Sequence, residues 1–536
     1  MIRNLPFIVL SAVILASCAT PTQPTGGEPD RSGPVILSSE PADGTINFSD
    51  DQVRFNFDKY ISRNTFQRAF SIEPDIGITY RVKWRGRSAI VRFDEALPDS
   101  TTVIFRLSTD LGDANNNRMK QPYTLALSTG PAIDKGEING RVLNRNDGRA
   151  WTEGIVLLYR HPADYSVRAD YAVQPDTGGY IRFNYLREGT YNAFWVDDRN
   201  RNKRWDQISE VARPFPVESV EVSDTYVARL DTAYIAIPDT INPGLQGIGL
   251  LSSLRLRFRF SEDIVYSEDA GITVLDSLGR DVHQAIPLYT EKGQQNVLYA
   301  QMVGSLDPES TYRVSLSGIT DRAGNAADES DITFTGSAAA DTTAQRIIRN
   351  EAEGGIYPDQ PVKIRYAAVI ADPAVIDSLI VIEDEITHTG WDSTLISGNL
   401  LYLYPDGQWR EGSRYQFRLW SPQRQSRTNF ELNVWHESTL GDLELFIPAD
   451  TTGIWHFRLL NREGSQIRSG YMQGRVEIND IPEGDYILQA FSDPEESGIW
   501  DHGSVFPYRK PRAGYVDPQV KIRNRMTTSL EIRAKP

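Results

Sequence analysis

At 536 residues, with apolar side chains at 40% and aromatics at 10%, the chain is too long for one hydrophobic core and apolar enough to build several. A formal net charge of −16 and a pI near 5.0 provide no basic footing, which excludes nucleic acid as a partner and gives no electrostatic attraction to an anionic membrane surface. The one cysteine, Cys18, rules out a disulfide within the chain, so its domains rest on apolar burial.

Residues 1–17 form an export signal, with Arg3 at its basic start, an apolar run from Leu5 to Leu15, and small residues before Cys18. The run is too short to span a bilayer. Leu15-Ala16-Ser17-Cys18 resembles the lipobox of bacterial lipoproteins. That resemblance implies cleavage before Cys18, lipidation of this cysteine with palmitate-type chains, and, with Ala19 rather than Asp next to it, residence at the outer membrane. The alternative is an ordinary signal peptide with a chance cysteine. Residues 18–34 then read as the lipidated residue and a Pro/Gly/Thr-rich tether. No later segment approaches the roughly 18 uncharged apolar residues of a spanning helix.

From Pro34 onward short alternating runs are broken by turn residues, with almost no helical period. The expected fold class is all-β, a tandem series of β-sandwiches. Val53–Phe57, Ile90–Phe93 and Val103–Leu107 are such runs, and residues 97–130 resemble the bacterial Ig-like domain first seen in S-layer proteins. A second copy matches Val53–Ile61 at Leu256–Ile264 and Leu97–Leu107 at Leu306–Leu316, and carries the turn Ile319-Thr-Asp-Arg-Ala-Gly-Asn325. A third, more divergent copy runs through Val362–Ile370 and Trp409–Leu419 without that turn. Ig-like domains are therefore expected at 35–132, 231–337 and 344–437.

Two further regions, 135–230 and 438–536, read differently. Each has the order strand, strand, turn and strand, then Leu186-Arg-Glu-Gly-Thr-Tyr191 or Ile481-Pro-Glu-Gly-Asp-Tyr486, which resembles the transthyretin-like sandwich of carboxypeptidase regulatory and collagen-adhesin B-type repeats. The two stay in register at a constant offset of 295 residues from Gly179/Gly474 to Asp206/Asp501, so one supersecondary unit is used twice. The Ser337–Thr343 run is the clearest linker.

Inside the repeat lies the candidate site. Asp198, Asn200, Asn202 and Asp206 occupy positions 1, 3, 5 and 9 of a calcium-loop count, and Asp493, Glu495, Ser497 and Asp501 occupy the same positions in the copy. Alternate oxygen ligands suit a hard cation, because a chain coiled around one ion turns every second side chain inward. Against calcium, Lys203 stands where the turn glycine belongs, Ser209 and Ser504 stand where a bidentate Glu belongs, and Arg199, Arg201, Lys203 and Arg204 crowd the first loop. A polar turn, with Asp and Asn bonding their own backbone, is the competing reading. The Asp110–Asn117 loop and the Asp321–Asn325 turn read as turn formers.

Signals for catalysis are sparse. The six histidines are scattered, and there is no zinc pair, nucleophile elbow or phosphate loop. The reading is a non-catalytic, lipid-anchored envelope scaffold meeting an unidentified envelope protein or polysaccharide. A carbohydrate-binding or adhesion lipoprotein is the alternative, with Trp84, Trp151, Trp195, Trp391, Trp409, Trp420 and Trp435 as sugar-stacking candidates. A polysaccharide hydrolase with paired carboxylates stands third.

Overall fold

The computed structural model describes residues 30–533 apart from 292, 329–330, 343–346, 351–353, 371–378, 389–390, 422–425 and 449–452. Cys18 and most of the tether lie outside the described residues. The chain divides into two compact units, one of Met1–Val142, Thr152–Ala233 and Ser504–Lys510, the other of Leu143–Trp151, Tyr234–Gly503 and Pro511–Pro536. The fold is all-β, a series of sandwiches. Among the described residues no helix is long and apolar enough to cross a membrane.

In the first unit, strand Gln52–Phe57 alternates buried and outward residues and pairs with Ile36–Glu40 on one side and Ser88–Phe93 on the other, with Tyr80–Arg85 beyond. Phe70–Glu73, Thr102–Leu107 and Tyr123–Ser128 form the facing sheet. Phe55 and Phe93 from the first sheet meet Phe70 and Phe105 from the second in one core, so the period-2 pattern places one face of each sheet inside. The structure departs from the expected lack of helix at Arg63–Ala69, an α-helix of seven residues that lays Phe66 and Ala69 on this core. Two turns are too short for a helical period to register in the sequence.

The second unit repeats this strand order at 245–335, with one difference. Val265–Leu275 and Asp281–Glu291, each 11 residues long, pair with one another and join the two sheets into a continuous seven-stranded one. Phe258 and Val314, far apart in the strand order, still share one core, so the sheet closes over itself. The order recurs at 347–433, where Ile364 and Leu401 pack against Val381 and Phe417.

The two regions related by the 295-residue offset also share a strand order. Gly136–Asn144 lies between Tyr180–Leu186 and Val227–Ile235, as Leu440–Phe446 lies between Arg475–Pro482 and Thr527–Glu531. Opposite them, Ile155–Arg160 pairs with Gly189–Val196, as Trp455–Leu460 pairs with Gly484–Ser492. From Tyr191 to Val196 every residue is buried, because this strand packs on both faces. Its Trp195 is fully buried and donates its indole N–H to the Glu153 carbonyl at 2.9 Å. Gly154, at φ +70°, makes room: a Cβ there would lie 2.7 Å from the Trp195 ring.

Replacing Trp195 by Ala is expected to cost about 3–5 kcal/mol by cavity formation. Hydrogen exchange followed by mass spectrometry should show faster exchange in 155–160 and 189–196, with peptides of 347–433 unchanged.

Candidate functional site

The strand Gly189–Val196 delivers the chain into the loop at Asp198, a residue only 8% exposed. A carboxylate there must be compensated, and the loop coils to do so. Asp198 Oδ1 accepts the Asn202 N–H at 3.0 Å and Oδ2 the Lys203 N–H at 3.3 Å. Asn200 and Asn202 both turn their amides toward Asp206 Oδ2, at 2.5 and 2.9 Å. Asn200 and Asn202 thus turn amide N–H groups to Asp206, while their own Oδ1 atoms accept the Asn202 and Arg204 N–H groups at 3.0 and 2.8 Å and Asp198 is held by the loop backbone. The bond from Asn200, then Arg204 and the bond from Asn202, hold the Asp206 carboxyl below its usual range.

A further carboxylate, missed in the sequence, joins them. Glu210 is 7% exposed, its Oε2 accepts the Asp206 N–H at 3.0 Å, and its Oε1 is buried with no hydrogen-bond partner. Burial first, and the Glu210 charge in addition, push the Asp198 carboxyl up, against the backbone bonds from Lys203 and Asn202. Glu210 lies one residue beyond the twelfth position of a calcium loop, because a tight turn from Asp206 brings both Ser209 and Glu210 N–H groups onto the Asp206 carbonyl. A count that tolerates one inserted residue would have found it.

The four basic residues mostly lead away from the centre. Arg199 pairs with Asp197 at 2.8 Å, Arg201 reaches Asp110 at 3.7 Å, and Lys203 reaches Glu73 at 3.8 Å; only Arg204 stays, on the outer oxygen of Asp206 at 2.5 Å. Glu73 is 2% exposed and is held by Arg106 Nε at 2.6 Å and by the Ala172 N–H at 3.3 Å. Lys203 therefore has a reason to stand where a glycine would be easier. Its φ of +58° is the left-handed region, as is the +69° of Gly498 in the copy, and its ammonium goes to a buried carboxylate.

In the second loop Asp493, 3% exposed, accepts the Ser497 and Gly498 N–H groups at 3.2 and 2.6 Å and the Ser497 hydroxyl at 3.0 Å. Glu495 is turned to Arg512 at 3.2 Å, and Asp501 accepts the Gly503 N–H at 2.9 Å. Asp493 and Ser497 are brought together here, while Glu495 is not. The residue matching Glu210 is Val505.

Other candidates fall into the packing. Trp195 and Trp409 are buried and offer no stacking face, and Trp84 and Trp391 lie against the cores. The Trp420 side chain lies outside the described residues. His436 caps a turn through the Ser438 N–H, and His456 stacks on Tyr471.

Residues 30–129 match a family described as a bacterial Ig-like domain. No curated protein matches the chain. Among solved structures it is similar to native Escherichia coli alpha-2-macroglobulin, at 10% identity and a TM-score of 0.15, over 91% of this chain and 34% of that one. It is also similar to the N-terminal part of the bacterial S-layer protein SbsC, at 13% identity and a TM-score of 0.15, over 34% of this chain and 43% of that one. BcpA, the major pilin subunit of Bacillus cereus, is similar at 12% identity and a TM-score of 0.14, over 74% of this chain and 99% of that one. The chain thus spans about a third of the macroglobulin and less than half of the SbsC fragment.

Replacing Glu73 by Ala leaves Arg106 and Lys203 facing a buried gap and is expected to cost about 3–5 kcal/mol. Lys203→Gly removes a more accessible partner while relieving a left-handed backbone worth about 1 kcal/mol, so its effect should be smaller. Hydrogen exchange of peptides over 70–73 and 102–107 ranks the two.

Proposed function

We propose that the protein is a non-catalytic cell-envelope lipoprotein, anchored through Cys18, whose tandem sandwiches act as a structural and interaction scaffold. The observation that carries this is the unbroken succession of small β-sandwiches, the first of them matching the bacterial Ig-like family at 30–129. Modules of this kind present surfaces and set spacing. The regions 135–230 and 438–536 fill the role of transthyretin-like modules on this reading, and the outer membrane is the site of anchoring. Labelling cells with a palmitate analogue tests the anchor. The wild type should label and sediment with membranes, and Cys18→Ala should do neither; a labelled, membrane-bound Cys18→Ala protein would overturn it.

Within that scaffold the loop 198–210 is proposed to bind calcium, which would serve to stiffen the strand end. Asp198, Asn200, Asn202 and Asp206 carry ligand-type oxygens at alternate positions, the two Asn amides would have to turn from the N–H contacts they now make with Asp206, and the unpartnered Oε1 of Glu210 supports the reading. The copy at Asp493–Asp501, which lacks a Glu210 equivalent and has Glu495 engaged by Arg512, is the poorer binder. Calorimetric titration of the full chain should show a calcium event weakened about tenfold by Glu210→Gln. Affinity should also fall with acid, because the Asp198 carboxyl, raised above its ordinary 3.8, takes up a proton earlier on the way down. A titration without heat at millimolar calcium would remove this part of the proposal.

A further inference from the structure

The 198–206 loop spends its side chains in two directions. Asp198, Asn200, Asn202 and Asp206 bond within the loop, whereas Arg201 and Lys203 leave it. Both of these stand in the left-handed region, at φ +60° and +58°, so each marks a bend of the coil. The Lys203 N–H is fixed on Asp198 Oδ2 at 3.3 Å, and the Lys203 carbonyl accepts the Ala169 N–H at 3.0 Å. From that position Lys203 sends its ammonium into the first Ig-like sandwich, to Glu73 Oε1 at 3.8 Å. Arg201 crosses beside it, to Asp110 at 3.7 Å.

The ammonium arrives at the joint itself. Glu73 ends the strand Phe70–Glu73, and its Oε1 also accepts the Ala172 N–H at 3.3 Å, while Oε2 takes Arg106 Nε at 2.6 Å. Two residues on, the Asp75 N–H donates to the Asp170 carbonyl at 3.0 Å, and Arg168 lies 3.7 Å from the Asp75 carboxylate. Residues 168–172 thus carry contacts of the following sandwich to the first, and they include the residue that the Lys203 carbonyl holds. The Glu73 side chain is buried and that of Lys203 half-buried, whereas Arg201 is exposed. The inner pair is therefore the stronger link, because an exposed ion pair is worth little and a buried one loses heavily when a partner leaves.

We propose that calcium in the 198–210 loop locks the joint between the first Ig-like sandwich and the one that follows it, with Lys203 as the coupling residue. This lock rests on the calcium reading of the loop and adds what occupancy does. Lys203 has its N–H on a ligand of that reading, its carbonyl on Ala169 and its ammonium on Glu73, and it keeps all three partners only while the loop stays coiled. An ion that draws Asp198 and Asp206 together holds the loop to that coil, and the joint inherits the restriction. Without the ion the coil depends on its own hydrogen bonds, and each local opening strips Glu73 of one of its two cations. Coupling of this kind is reciprocal, so an intact joint must in turn tighten calcium binding.

Hydrogen exchange of the full chain in chelator and in calcium, read on peptides over 70–75, tests the lock, and calorimetry reports calcium binding separately. In the wild type calcium should slow exchange at 70–75 by about fivefold or more, leaving 52–57, on the other sheet of the same sandwich, unchanged. Lys203→Met keeps the unbranched side chain and removes the ammonium. At saturating calcium it should still protect 198–210, with the slowing at 70–75 lost, whereas a merely structural lysine would lower protection at 70–75 by the same factor in chelator and in calcium. Glu73→Gln, outside the loop, should weaken calcium binding about fivefold. A calcium heat without slowing at 70–75, equal slowing at 52–57, or slowing retained in Lys203→Met would overturn the lock and leave the calcium loop standing; a wild type without heat would remove both. Should Lys203→Met fold poorly, the Glu73→Gln affinity decides, and an unchanged value overturns the lock.

Discussion

One device recurs at the ends of these sandwiches: a buried aspartate that accepts the backbone N–H four residues ahead. Asp113, Asp198, Asp321 and Asp493 are 2, 8, 3 and 3% exposed, and each receives the N–H of residue 117, 202, 325 or 497 at 2.9, 3.0, 2.9 or 3.2 Å. A carboxylate buried this deeply is costly unless hydrogen bonds replace its water. The backbone of the loop supplies them. Side chain and loop hold one another, with no disulfide to close the turn.

Hydrogen bonds leave the charge in place, and the four corners differ in what offsets it. Asp113 has Lys59 at 4.0 Å. Beside Asp198, Lys203 sends its ammonium 3.8 Å from Glu73 instead. Asp493 is surrounded by N–H groups and the Ser497 hydroxyl, which hold its carboxyl low. At Asp321 the carboxylates of Asp239 and Glu262 stand close by, yet against its burial the hydrogen bonds of Asn325 and the Ala323 and Gly324 N–H groups hold its carboxyl low; of the four only Asp198 is pushed up, by its burial first.

Glu73 shows the same economy used for joining. Its buried carboxylate belongs to the first Ig-like sandwich, yet it accepts from Ala172 and pairs with Lys203 of the sandwich that follows. Removing one member of such a set strands the others in low dielectric, which makes the joint specific.

Much of this was legible in the chain. Alternation at Val53–Phe57 and Leu256–Phe260 named the core faces, because a strand has a period of two and a buried face tolerates no slip. The 295-residue register named the duplication, and the spacing of Asp198, Asn200, Asn202 and Asp206 named a loop whose polar side chains bond to one another and to its backbone, since that spacing is local. Tertiary structure alone decided what long-range proximity controls. It led Lys203 to Glu73 130 residues earlier in the chain, and set Asp239 beside Glu262 and Asp321. None of these pairs has a spacing that periodicity could reveal; they meet only because the sheets fold over one another, and their charges matter only because the meeting point is buried.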